Sequence, residues 1–281
     1  MIDKDLIEFI DHILEEDIRE GDHTSLACIP ATAMGKARLL VKGEGILAGI
    51  DLAKQIFGRV DEGLQIDLFL EDGATVKYGD IAFFVEGRKQ SILTAERVVL
   101  NCMQRMSGIA TMTHRYVSRL DGLKTKVLDT RKTTPGFRAI EKWAVRIGGG
   151  TNHRMGLYDM LMIKDNHHDF CGGITNAVLT ARKYLKDKNL EHLQIELEVR
   201  NMEELQEALT VGQIDRIMLD NFDVPTTRKA VEWVNGRFPL ESSGGITLDT
   251  IRGYAETGVD YVSVGALTHS YESLDLSLKA M

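Results

Sequence analysis

Along the first third of the chain the spacing of apolar residues changes period several times. Residues 3–16 carry Leu6, Ile7, Phe9, Ile10, Ile13 and Leu14 at helical spacing, which predicts an amphipathic helix with one buried face. The acidic turn from Glu16 to Thr24, broken by Gly21, reads as a loop in which Asp22 or Thr24 caps the next element. KARLLVK at 36–42 reads as a strand, Gly43, Gly45 and Gly49 interrupt it, and a helix is expected at 50–59. From Leu64 to Gly87 the runs LQIDLFL, ATVKY and IAFFVEG are separated by Asp72-Gly73 and Gly79-Asp80, the pattern of an antiparallel patch. Ser91 opens a long helical region with a kink expected near Ser107-Gly108. On it Val98, Leu100, Cys102 and Met106 fall in the core, while Arg97 and Arg105 read as solvated ion-pair residues.

Beyond residue 123 the rhythm becomes regular. Strands KTKVLD, YDMLMI, LQIELEV, DRIMLD, PLES and DYVSVG alternate with helical segments, the signature of a parallel sheet with right-handed crossovers. No Rossmann glycine fingerprint accompanies them, which favours a (β/α) barrel over an open sheet. The polar residues Asp129, Lys164, Glu198, Asp220, Ser243 and Gly265 sit at the carboxyl ends of these strands. In such barrels that rim carries the chemistry.

Composition narrows the classes. The chain has 281 residues and a net charge of −8, so it has no basic face to offer a nucleic acid. The acidic N-terminus lacks the n- and h-regions of a signal peptide, and no apolar run is long enough to span a bilayer. Cys28, Cys102 and Cys171 are far apart with no C-x-x-C, which points to a reducing cytoplasm. Against this acidic background, residues 129–167 hold Arg131, Lys132, Arg138, Lys142, Arg146, Arg154 and Lys164 against Asp129, Glu141, Asp159 and Asp165, a local charge of 7 − 4 = +3. Cations gathered around His153 and the Gly148-Gly149-Gly150 run suggest a pocket for a small polyanion.

Within that segment Arg131, Lys132, Arg154 and Lys164 follow strands or glycines and are read as pocket cations, with His153 beside them. Arginine suits a planar carboxylate through two parallel hydrogen bonds, and lysine adds a point charge. Arg138, Lys142 and Arg146 read as a solvated helix face. Glu198 and Asp220 end neighbouring strands, where they can hold Mg²⁺ through oxygen ligands and water or orient sugar hydroxyls. Glu196 shares the pleat parity of Glu198 and reads as an ion-pair partner of the cations. Ser243-Gly244-Gly245 and Val264-Gly265-Ala266, with His269 behind, are two turns after the last strands that suit a phosphate. No nucleophilic triad and no H-E-x-x-H motif is present.

The runs DTRKTTPGFRAIEKWAVRIGGGTNHRMGLYDMLMIKDNH, NCMQRMSGIATMTH, IMLDNF, LESSGGIT and YAETGVDYVSVGALTHS resemble the quinolinate phosphoribosyltransferase family, the carboxylating nicotinate-nucleotide pyrophosphorylases. EDIREGDHTS and LVKGEGILAG match as well, so the resemblance spans essentially the whole chain. It implies an α/β fold with an N-terminal α/β sandwich at 1–106, an incomplete (β/α) barrel of parallel strands at 107–270, and a tail at 271–281 returning to the first domain. The implied activity is a pentosyltransfer: quinolinate and phosphoribosyl pyrophosphate give nicotinate mononucleotide, CO₂ and pyrophosphate, with Mg²⁺, in de novo NAD synthesis. Carried over by motif, Arg131, His153, Arg154 and Lys164 hold quinolinate, flanked by Thr130, with Lys132 between the two substrates. Glu198 and Asp220 take the ribose or the Mg²⁺–pyrophosphate, and Ser243, Gly244, Gly245, Val264, Gly265, Ala266 and His269 cradle the 5′-phosphate. Lys132, Lys164, Glu198 and Asp220 are the implied catalytic groups. The resemblance also implies a homodimer in which Arg97 is lent to the neighbour's site, in place of the solvated ion pair read from its helix position. Two other readings stay open here, a nicotinate phosphoribosyltransferase-type enzyme and a silent paralogue that binds a related anion.

Overall fold

The structure is a computed structural model that describes residues 3–281. It divides into two compact units. The first holds the N-terminal residues to His114, together with 139–149 and 270–281. It opens with α1 (Asp3–Ile18), which buries Leu6, Ile10 and Leu14 and packs on α3 (Ile50–Val60). Between them lie α2 (His23–Cys28), β1 (Met34–Val41) and β2 (Gly45–Ile46). Asp22 caps α2 by accepting from the Ser25 N–H at 3.0 Å, the structural turn expected there. β3 (Gln65–Leu68), β4 (Thr75–Val76) and β5 (Ile81–Arg88) follow.

Two small sheets result. β1, β5 and β3 pair antiparallel in one, and β2 pairs with β4 in the other. The buried face of α3 meets β5 with Phe57 edge-on to Phe83, ring centres 6.1 Å apart. The last strand, β12 (Leu276–Ala280), adds antiparallel to the outer side of β1.

The long helix α4 (Lys89–Ser118) differs from expectation in running unbroken through Ser107 and Gly108. Gly108 is there for close packing: a Cβ would lie 2.2 Å from the Glu272 carbonyl oxygen. The helix α5 (Arg138–Ile147) belongs to this unit from Ala139 on. At its end Gly148 meets α4, where a Cβ would fall 2.4 Å from the Ala110 carbonyl oxygen. The glycine run thus opens on a helix contact, and Gly148 lines no anion pocket. The core face of α4 continues past Met106, and residues 139–149 fall in the same compact unit as the residues up to His114. Arg105 is not solvated: its guanidinium pairs with the fully buried Glu141 carboxylate and stacks over Tyr271. Lys142, read as solvated, is fully buried, whereas Arg146 is exposed as expected.

The second unit covers 115–138 and 150–269. It contains β6 (Lys126–Leu128), β7 (Leu161–Ile163), α6 (Asp165–Cys171), α7 (Ile174–Asp187), β8 (Ile195–Val199), α8 (Met202–Val211), β9 (Arg216–Asp220), α9 (Val224–Val234), β10 (Leu240–Ser243), α10 (Ile251–Ala255), β11 (Tyr261–Ser263) and α11 (Ala266–His269). Its six strands form one parallel sheet in the order β6-β11-β10-β9-β8-β7. β6 and β7 are the edges and do not pair, so the barrel is incomplete as expected. Ile195, Leu197, Ile217, Leu219, Leu240 and Val262 are buried along the strands and account for their hydrophobic runs.

Candidate functional site

The carboxyl ends of the parallel strands open on one cavity of about 740 Å³ within the second unit. Its lining includes Thr130, Arg131, Lys132, His153, Arg154, Lys164, Glu198, Asp220, Ser243, Gly244, Gly245, Val264, Gly265, Ala266 and His269. Every pocket residue named from the sequence is therefore brought together except Arg97, which is exposed on α4 in the first unit. Right-handed crossovers return each strand in the same direction, so residues distant in sequence share one rim.

The cations are held by backbone anchors. Asp129 directly follows β6 but is fully buried and lies outside the cavity lining. Its carboxylate accepts from the His153 N–H at 2.8 Å and from Asn152 Nδ2 at 2.5 Å, tying the Asn152–Arg154 turn to the first strand. Arg154 donates to the Met160 carbonyl at 3.3 Å, and burial followed by the charge of Arg131 lowers its pKa. Two guanidiniums that repel each other inside a cavity are stabilised by an anion between them. Lys164 Nζ lies 2.8 Å from Glu198 Oε2. Arg138 is also tied in: Nε donates to Thr133 Oγ1 at 3.0 Å and Nη1 to the Met155 carbonyl at 3.1 Å, which corrects its reading as a solvated residue.

Beneath the rim lies an ionic layer that replaces the usual apolar barrel filling. Glu196 and Glu241 are both fully buried, and His153 Nε2 lies 2.8 Å from Glu196 Oε2 and 3.4 Å from Glu241 Oε2. Arg216 closes the group 3.2 Å from Glu241 and 3.9 Å from Glu196, stacked on Tyr261 at 4.4 Å. Burial alone would lower the His153 pKa, but hydrogen bonding to Glu196 and Glu241 outweighs it and raises the pKa to about 9. The Arg154 N–H, 2.7 Å from Nδ1, pulls the other way by favouring a bare nitrogen. Burial and then the Glu241 charge raise Glu196 to about 7, and His153 helps keep Glu241 ionised against its burial.

Glu241 and Arg216 were missed in the sequence, and the sheet gives the signal that finds them. Glu241 pairs in register with Met218, and Glu196 with Arg216, so the layer crosses three adjacent strands. Glu196 keeps the ion-pair role read for it, with His153 and Arg216 as its partners.

The acids and the glycine turns complete the cavity. Glu198 and Asp220 end adjacent strands, and burial followed by the Glu198 charge raises Asp220. Two crowded carboxylates are an oxygen donor set that fits a hard divalent cation. Gly244 sits at φ +101°, and a Cβ there would fall 2.1 Å from Asn221 Oδ1. α10 begins only at Ile251, so the residues between β10 and it form an extended turn along the cavity. Val264 donates to the Leu128 carbonyl at 2.9 Å, and Thr268 Oγ1 to the Lys132 carbonyl at 2.8 Å, joining the second turn to β6 and to the loop after it that carries Lys132.

Comparison with known proteins places the chain. The family model for the N-terminal domain of quinolinate phosphoribosyl transferase matches residues 22–107, and that for the C-terminal domain matches 109–279. A quinolinate phosphoribosyltransferase [decarboxylating] of Nicotiana tabacum is 46% identical over 290 aligned positions, covering 98% of this chain and 82% of the relative. A probable carboxylating nicotinate-nucleotide pyrophosphorylase of Bacillus subtilis is 43% identical and covers 97% and 92% of the two chains. The solved structure of NadC from Streptococcus pyogenes superimposes with a TM-score of 0.93 at 37% identity, covering 100% of this chain and 99% of its own. With both domain models matched in order along nearly the whole sequence, the chain belongs to the quinolinate phosphoribosyltransferase family.

Proposed function

We propose that this protein is a nicotinate-nucleotide diphosphorylase (carboxylating). It transfers the phosphoribosyl group of phosphoribosyl pyrophosphate to quinolinate, releasing CO₂ and pyrophosphate and forming nicotinate mononucleotide in de novo NAD synthesis. The observation that carries the reading is the convergence of Arg131, Lys132, His153, Arg154 and Lys164 on one cavity, with Arg154 depressed by burial and by Arg131. Such a cluster suits a diacid better than the monoacid nicotinate, because one carboxylate leaves the second guanidinium uncompensated.

In this reading Arg131, His153, Arg154 and Lys164 hold the two carboxylates and aim the ring nitrogen at ribosyl C1. The nitrogen lone pair forms the new bond while the C1–oxygen bond breaks and its electrons leave with pyrophosphate. Lys132 offsets the charge of the departing group, and Glu198 and Asp220 stabilise positive charge on the sugar. No protein nucleophile is required, because orientation supplies much of the rate. The quaternary nitrogen then draws the electrons of the breaking C2–carboxylate bond into the ring, CO₂ departs, and a proton from solvent fills C2. Ser243, Gly244, Gly245, Val264, Gly265, Ala266 and His269 cradle the 5′-phosphate. Glu198 and Asp220 are the residues that would hold Mg²⁺, which when bound would offset pyrophosphate charge.

The same reading assigns Arg97 to the neighbouring protomer's cavity in a homodimer, which agrees with its absence from its own chain's lining and its exposure on α4. Three unpaired cysteines suit a cytoplasmic setting. The test is ¹⁴CO₂ release from 2-carboxyl-labelled quinolinate with phosphoribosyl pyrophosphate and Mg²⁺, run beside nicotinate. Consumption of nicotinate without CO₂ from quinolinate would refute the assignment. Mixed dimers of Arg97→Ala and Lys164→Ala chains regain part of the activity if Arg97 is shared, and none if each site is self-sufficient.

A further inference from the structure

We infer that Arg138 is a positioning residue that locks the two cation loops of the cavity at the separation the diacid needs. The inference rests on the reaction proposed above. Arg131 and Lys132 lie on the loop after β6, and His153 and Arg154 on the loop before β7. Arg131 and Arg154 carry like charges in one cavity, and burial followed by the charge of Arg131 lowers the Arg154 pKa. Left untied, two loops carrying like charges relax apart when the cavity is empty, and a ligand then has to draw them together at the expense of its own binding.

Arg138 opposes that relaxation from outside the cavity. It does not line the cavity, yet its guanidinium donates through Nε to Thr133 Oγ1 and through Nη1 to the Met155 carbonyl. Thr133 is two residues after Arg131, and Met155 directly follows Arg154. Thr133 in turn faces the Arg131 carbonyl, with its N–H donating at 2.9 Å. A chain of hydrogen bonds therefore runs from the Arg131 backbone through Thr133 and Arg138 to the residue after Arg154. Met155 is braced from the other side, since its N–H donates to Asp159 at 2.6 Å. The planar fork is what allows one side chain to hold two acceptors at fixed separation, and a lysine ammonium keeps the charge without that geometry. The phosphate side has its own tether, because Thr268 holds the Lys132 carbonyl. Loss of Arg138 thus acts on the diacid and spares phosphoribosyl pyrophosphate.

The test is steady-state kinetics on Arg138→Met, Arg138→Lys, Thr133→Val and the double variant Arg138→Met/Thr133→Val, each substrate varied in turn, with thermal melts alongside. The expected result for Arg138→Met is a KM for quinolinate raised about tenfold, the size of one lost hydrogen bond, with the KM for phosphoribosyl pyrophosphate within about twofold. Arg138→Lys behaves like Arg138→Met, Thr133→Val raises the quinolinate KM about threefold, and the double variant is no worse than Arg138→Met alone because both act through one link. Added methylguanidinium restores part of the affinity of Arg138→Met. A wild-type quinolinate KM in Arg138→Met overturns the inference, as does full activity in Arg138→Lys, which would leave charge alone as the cause. A parallel rise of both KM values with a lower melting temperature assigns Arg138 a general structural role and overturns it too. Should Arg138→Met fail to fold, Arg138→Lys and Thr133→Val decide by the same criteria. A wild-type enzyme that does not consume quinolinate would instead sink the proposed reaction.

Discussion

Gly244 is the tightly specified residue of the turn after β10, and Gly244→Ala probes that turn directly. Two costs add. An L-residue at φ +101° is strained by about 1–3 kcal/mol. The new Cβ would also lie 2.1 Å from Asn221 Oδ1, 2.7 Å from its Cγ and 3.0 Å from its backbone N, and forced overpacking costs about 1–3 kcal/mol more. The sum, about 2–6 kcal/mol, is a large share of a domain's net stability of about 5–15 kcal/mol. Urea titration followed by fluorescence of Trp233, which lies on α9 of the same unit, measures the change. If the turn holds the 5′-phosphate as proposed, the same displacement raises the KM for phosphoribosyl pyrophosphate while that for quinolinate changes less. Asn221 has φ +56°, so Asn221→Gly suits its backbone and removes the side-chain part of the clash. In the double variant about half the loss returns, leaving the φ strain and the approach to the Asn221 N. A Gly244→Ala protein within about 0.5 kcal/mol of wild type, or a double variant no better than the single, would refute the steric account, since surface changes without strain fall in that range.

Three further outcomes are expected. Arg131→Ala and Arg154→Ala each lower kcat/KM for quinolinate about 10- to 100-fold, the value of a charge-assisted hydrogen bond, while circular dichroism keeps the wild-type spectrum; normal kinetics in either would contradict the cation pocket. Glu241→Ala leaves Arg216 and His153 with Glu196 as their remaining carboxylate and destabilises by about 3–5 kcal/mol in a urea melt, the usual result of breaking a buried ion pair; a loss under about 1 kcal/mol would mean the layer is hydrated. Because the His153 pKa is raised from 6.5 to about 9 in the folded protein, its contribution is fully present below pH 6.5 and lost as pH rises through about 9. Melts from pH 6.5 to 9.5 should lose on the order of 2–3 kcal/mol on this account, and His153→Gln should lack that alkaline limb; an identical limb in both proteins would assign it elsewhere.

The periodicity of the second unit was legible in the chain because short apolar runs and crossover helices are local properties. Once strands alternate with helices in a right-handed sense, the residues at strand ends must share a rim, and Lys164, Glu198, Asp220 and Ser243 could be assigned to one cavity before any coordinates. The DTRKT and IKDNH motifs follow β6 and β7 directly, whereas NHR lies on the loop before β7 and reaches the same cavity through the fold.

What the chain could not reveal depends on neighbours that differ in sequence by tens of residues. Arg105 and Lys142 look solvated on a helical wheel, yet Arg105 pairs with the buried Glu141 36 residues away, and Lys142 is fully buried. Gly148 belongs to a glycine run that reads as part of a polyanion pocket, but its missing Cβ serves the approach of α5 to α4. Glu241 and Arg216 are ordinary strand residues until the parallel register sets them beside Glu196 and His153. Local patterning thus determined the elements, their direction and the rim, because those follow from the backbone period of each segment. Only the tertiary structure decided which charges are buried and paired, because desolvation and Coulomb energy depend on distances that no single segment contains.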